Sequence, residues 1–76
     1  MSYYNTSVKL YISQVESMGE IVTLNDRSRW KVETFEKSTA AMWAMLDDVI
    51  VSPYIGSKYT LKNLKRNQEV KASLIK

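Results

Sequence analysis

Apolar and polar side chains alternate with a period of two through most of the chain, the pattern of half-buried strands. Val8, Leu10 and Ile12 share one face of a first segment, with Lys9, Tyr11 and Ser13 on the other. Residues 20–24 follow Gly19 as a β-branched run, and residues 29–33 place Trp30 and Val32 inward with three charges outward. Residues 48–52 carry Val49, Ile50 and Val51, and alternation returns over 58–62 and 70–74. Together these segments predict six strands.

The punctuation between them is short. Asn25, Asp26, Arg27 and Ser28 form a turn cluster that predicts a tight hairpin. Pro53 and Gly56 bracket a second connection, and Lys65-Arg66-Asn67-Gln68 makes a third, with Asn67 suited to a left-handed conformation. Connections this short imply antiparallel neighbours. Only residues 34–47 break the rhythm. Good helix formers over 38–46 predict a short helix capped by Ser38 or Thr39, with Ala40, Trp43 and Leu46 on one face and Trp43 plugging one mouth of the sheet. The expected fold is all-β: one domain over residues 1–76, a small antiparallel barrel of five to six strands, OB-like or SH3-like. A helix between the third and fourth strands matches the OB order. The inward phases predict a core of Trp30, Trp43, Leu10, Val22, Val32, Val49, Val51, Leu61 and Leu74.

The run Leu24-Asn25-Asp26-Arg27-Ser28-Arg29-Trp30-Lys31-Val32, then Trp43, Val49-Ile50-Val51, Tyr59-Thr60-Leu61-Lys62-Asn63 and Val70-Lys71-Ala72, resembles short uncharacterised bacterial β-rich proteins. Their hairpin pattern is Leu-x-Asp-Gly-Ser-x-Trp-x-Val. The resemblance implies the β fold and no activity. Arg27 stands where that pattern has Gly, which implies a turn tolerant of a side chain there.

Composition narrows the chemistry. With 76 residues, no Cys and no His, the chain lacks disulfides, Cys/His zinc sites, thiol nucleophiles and imidazole-dependent triads. A hydrophobic fraction of 45% is too rich for an intrinsically disordered chain, and the apolar run from Ala40 to Leu46 is too short for a membrane span. Two isolated glycines, Gly19 and Gly56, cannot build a phosphate loop. Ser57 beside Lys58 and Ser38 beside Lys37 have no evident pocket to desolvate the base. Asp47-Asp48 reads as a solvated strand entry, since neighbours in an extended segment point apart. Glu33 and Glu36 flank Phe35 in a loop without a third metal ligand nearby. The expectation is a non-enzymatic protein without cofactor or metal. No signal-peptide pattern opens the chain, which favours the cytoplasm unless a leader has been removed.

Charge is uneven. Residues 1–57 hold five basic and seven acidic side chains, whereas residues 58–76 hold six basic and one acidic. Lys58, Lys62, Lys65, Arg66 and Lys71 surround the last hairpin, and with Tyr11, Arg29, Lys31 and Tyr54 they make up the expected ligand surface. A protein partner or self-association, the latter through Met1–Tyr4, is the favoured use. Single-stranded nucleic acid on the basic hairpin is the alternative, because barrels of the OB kind combine a basic groove with stacking aromatics. An inhibitor or immunity-type role is a third reading, since it too would look like a compact domain without a site.

Overall fold

Six strands close into a ring: β1 (Lys9–Glu16), β2 (Ile21–Leu24), β3 (Arg29–Val32), β4 (Asp48–Pro53), β5 (Lys58–Asn63) and β6 (Gln68–Ile75). The order around the barrel is β1-β2-β3-β6-β5-β4. The structure is a computed structural model that describes residues 9–75. Val8 of the first predicted strand and the Met1–Tyr4 leader lie outside the described residues.

Every pairing around the ring is antiparallel. Strand direction must alternate for that to hold, so an odd ring would force one parallel pair. Six strands satisfy the rule and five do not. The chain draws two three-stranded meanders, β1-β2-β3 and β4-β5-β6, which meet where β1 pairs β4 and β3 pairs β6. The helical insert lies between β3 and β4, the place expected for an OB-type order.

Alternation along each strand fills the interior. Val22 and Leu24, Trp30 and Val32, Val49 and Val51, Leu61, Val70 and Ala72 are all buried with Ile12, Ala40 and Trp43 in one cluster. Leu10 and Leu74, expected in the centre, are only partly covered and pack against its margin with Val15 and Tyr59. Both sit toward strand ends, where the barrel opens. Trp30 meets Tyr59 edge to face, ring centroids 5.1 Å apart.

The helical segment differs from its prediction in position. A 3-10 turn covers Thr34–Glu36 and the α-helix α1 only Lys37–Ala40, so it starts and ends earlier than 38–46. Two contacts stop it. The backbone of Gly19, in the hairpin turn joining β1 to β2, sits so close that a Cβ there would lie 2.5 Å from Ala41 N. Beyond it, the Asp47 carboxylate accepts the Ala44 N–H at 3.0 Å and Asp47 N donates to Ala44 O, folding 44–47 into a turn. Leu46, at φ 74 in that turn, is 70% exposed rather than on a face with Ala40 and Trp43. Trp43 does turn inward, and its indole N–H donates to Gln68 Oε1 at 2.9 Å at the start of β6.

The hairpin at residues 25–28 corrects another expectation. Arg27 N donates to Leu24 O and Leu24 N to Ser28 O, both at 2.9 Å, with Arg27 at φ 73. This is a three-residue hairpin loop whose last position is left-handed. The side chain there is carried against a backbone preference for glycine rather than accommodated by a tolerant turn. Asn67 adopts φ 54, the left-handed conformation expected of it.

Candidate functional site

After Val32 the chain leaves the ring but not the neighbouring strand: Glu33 N still donates to Lys71 O at 2.9 Å. The 3-10 turn then folds back beside β6, and Glu36 Oε1 accepts the Lys71 N–H at 2.6 Å. That path lifts Phe35 away from the core and leaves it 78% exposed. Across from it the β4–β5 turn presents Tyr54, 54% exposed. Tyr54 N donates to Lys58 O and Lys58 N to Ile55 O, which hold that turn closed.

Between the two elements lies a groove of about 370 Å³ lined by Glu33, Phe35, Glu36, Tyr54, Lys58 and Lys71. Its charges are arranged. Lys71 Nζ sits 4.9 Å from the centre of the Tyr54 ring, a cation–π contact that holds the ring in place. The Lys58 ammonium donates to Glu33 Oε2 and forms an ion pair across the groove floor. An apolar wall on each side with satisfied polar groups between them suits a side chain from another molecule better than it suits a reaction.

A second polar cluster lies at the opposite end of β4 and β5 from the groove. Asp47, expected to be solvated, is 1% exposed. Its Oδ2 accepts from Arg66 Nε at 2.7 Å, Asn63 Nδ2 at 3.0 Å and Ala44 N at 3.0 Å. Burial works to raise the carboxyl pKa, but the hydrogen bonds from Arg66, Ala44 and Asn63 and the guanidinium charge outweigh it and hold the value at about 2. Asn63 is itself fully buried, and its Oδ1 accepts the Arg66 N–H at 3.1 Å. The rule that adjacent carboxylates point apart holds, with Asp48 facing outward opposite Tyr11, but the inward one finds a cation. This cluster ties the β5–β6 hairpin to the end of the insert and is a structural knot.

The predicted ligand surface therefore divides. Tyr54, Lys58 and Lys71 line the groove, and Lys31 lines an adjoining cleft with Lys58. Arg29 lies further along β3, opposite Ile75. Lys62 faces outward opposite Glu69, and Lys65 stands on the β5–β6 turn. Arg66 is spent on Asp47. Tyr11 is on β1, paired with Asp48, outside the groove. Phe35, Glu33 and Glu36 complete the groove, and the sequence signal for them was a large aromatic between two carboxylates in the one segment without alternation. Among the described residues no cluster of His, Cys, Asp and Glu could hold a metal ion, and no helix is long and apolar enough to cross a membrane.

No family model, curated protein or solved structure matches this chain.

Proposed function

We propose that the protein is a non-catalytic binding module for a protein partner, taking an extended segment of that partner in the groove between Phe35 and Tyr54. The observation that carries this reading is the pair of exposed aromatics, Phe35 and Tyr54, facing one groove, while Trp30, Trp43 and Tyr59 are spent on the core. Exposed aromatic walls beside a rigid scaffold are how small β-domains hold extended peptides. Ordering Phe35 against a ligand removes apolar surface from water without rearranging the barrel. Self-association is the same reading with a second copy as partner, and the exposed Met42, Met45 and Leu46 supply apolar surface for it.

Single-stranded nucleic acid is the second reading, favoured by outward Arg29, Lys31, Lys58, Lys62 and Lys71 on the contiguous strands β3, β6 and β5. Glu33, Glu36 and Glu69 stand among those cations and would repel phosphates, which places this reading second.

The test is selection of displayed random peptides on the immobilised full chain, with Phe35→Ala and Tyr54→Ala as controls and sedimentation over a wide concentration range. Binders that lose affinity at least ten-fold on Phe35→Ala, with unchanged melting temperature, are the expected result. Binders indifferent to both aromatics would overturn it. So would tight, steeply salt-dependent binding of an oligothymidylate with no peptide selected.

A further inference from the structure

The groove does not end at the Lys58–Glu33 ion pair. On its far side lies a second cleft of about 330 Å³, lined by Lys31, Val32, Glu33, Thr34, Lys58 and Ser73. The two clefts share Glu33 and Lys58, so they adjoin at that ion pair. Their chemistry differs: aromatic rings line the first, while the second has no ring and adds the hydroxyls of Thr34 and Ser73 and the ammonium of Lys31.

The strand register explains the second cleft. Ser73 on β6 is the partner of Lys31 on β3 and of Lys58 on β5, so the three side chains form one outward row. Neighbouring strands are roughly 4.8 Å apart, which places Ser73 between the two lysines along the row. The carboxylates nearby are already engaged. Glu33 is paired with Lys58, and Glu36 Oε1 accepts the Lys71 N–H. The ion pairs among the described residues are Lys58–Glu33 and Arg66–Asp47, so Lys31 has no carboxylate of its own. With Lys58 and Glu33 balancing each other, the Lys31 ammonium beside the Ser73 hydroxyl leaves the cleft complementary to a carboxylate.

Resting on the peptide-binding reading, we propose that the segment this protein takes is acidic. An apolar side chain lies between Phe35 and Tyr54, and an Asp or Glu one or two residues away meets Lys31 over Ser73. Successive residues of an extended chain advance by roughly 3.3 Å, so neighbouring positions of one ligand span the bridge between the clefts. The aromatic cleft supplies anchorage, and Lys31 supplies the choice among ligands, since a basic side chain placed there would meet its ammonium group.

The probe is a phage-displayed library of random octapeptides selected on the purified full chain, on Lys31→Glu, on Lys31→Gln and on Phe35→Ala. Lys31 and Phe35 are exposed, so the variants should keep the parent melting temperature. The wild-type pool is expected to enrich an apolar residue with Asp or Glu beside it. The Lys31→Glu pool should keep the apolar residue and exchange the acid for Lys or Arg, and Lys31→Gln should lose most of the preference. A selected acidic peptide should bind Lys31→Gln about five-fold more weakly, with a smaller response to salt, as fits an exposed charge contact. An apolar anchor without acidic preference, or an acidic preference that survives Lys31→Glu, overturns the inference and leaves the groove reading standing. Pools with no dependence on Phe35 overturn that reading itself.

Discussion

Arg66 reaches from the tip of the β5–β6 hairpin to Asp47, Nε to Oδ2 at 2.7 Å, and fastens one mouth of the barrel. The two residues lie 19 positions apart, and Asn63 bonds to both, through Nδ2 to the carboxylate and Oδ1 to the Arg66 N–H. A buried carboxylate left alone would be strongly destabilising, and this one has three donors. The knot explains why the chain after α1 turns back into the barrel rather than continuing as helix.

Stability should depend on acid through this group. The Asp47 pKa is about 2 in the folded protein against 3.8 for the free side chain. A depressed pKa contributes stability above the unfolded value and loses it as pH falls through the folded one. The contribution is about 2 kcal/mol at neutral pH. Urea titrations from pH 6 down to pH 2 should show this loss in the parent. Asp47→Asn should cost roughly 2–3 kcal/mol at neutral pH, less than for a fully buried pair because Arg66 can reach water. It should also flatten the acid limb, and an equally steep limb in the variant would remove Asp47 from the account.

Gly19 should tolerate no side chain. At φ 95 an added Cβ would lie 2.0 Å from Lys37 O and 2.5 Å from Ala41 N, both backbone atoms that cannot rotate away. Gly19→Ala is expected to cost about 3 kcal/mol or more, from overpacking and strain together. At Gly56, where nothing lies within 4 Å, the same change should cost about 1 kcal/mol. Thermal melts of the two variants side by side decide the point, and equal losses would contradict it.

Arg27→Gly should stabilise the protein. A left-handed non-glycine residue costs roughly 1–2 kcal/mol, and the extra freedom of glycine in the unfolded chain returns part of that, leaving a gain of about 0.5–1 kcal/mol. The urea midpoint should rise with an unchanged m-value. A lower midpoint would mean that the exposed guanidinium makes a contribution the backbone geometry does not reveal.

Trp30→Ala should cost about 3–5 kcal/mol, the range for truncating a large buried side chain. Its ring is fully buried against Tyr59, and its N–H donates to Ser28 Oγ at 2.9 Å. Tyr59→Leu, which removes the edge-to-face contact but leaves an apolar side chain against Trp30, should cost less than Trp30→Ala. A parent-like melting temperature for Trp30→Ala would show that the indole is not part of the core.

What the sequence made legible follows from which interactions are local. Period-two alternation located every strand, because inward and outward phases are fixed by backbone geometry alone. Lys31, Lys58 and Lys71 are recognisable as outward residues for the same reason. Nothing local says that Glu33–Glu36 folds back beside β6, so Phe35 could not be placed opposite Tyr54. The helix was set too late because Ala40–Leu46 has helical composition, while Gly19 and Asp47, distant in sequence or acting through a turn, end it. The burial of Asp47 depends on Arg66 and Asn63, partners that composition near Asp47 does not announce.

Alternation also fails within β1, where the register with β2 passes from Ile12↔Leu24 to Gln14↔Thr23 and Ser13 is the extra residue. Upstream of it Lys9, Leu10 and Tyr11 pair with β4, and from Ile12 onward the strand pairs with β2. β1 is thus a hinge post shared by both meanders, and the bulge is the corner at which it changes allegiance. Removing Ser13 would leave Gln14 and Glu16 outward and Val15 inward, so the inside–outside code of the strand would survive intact. What would be lost is curvature, since the extra residue bends the strand and increases its twist where it passes between β4 and β2. One serine, silent in the hydrophobic pattern, marks the corner of the barrel.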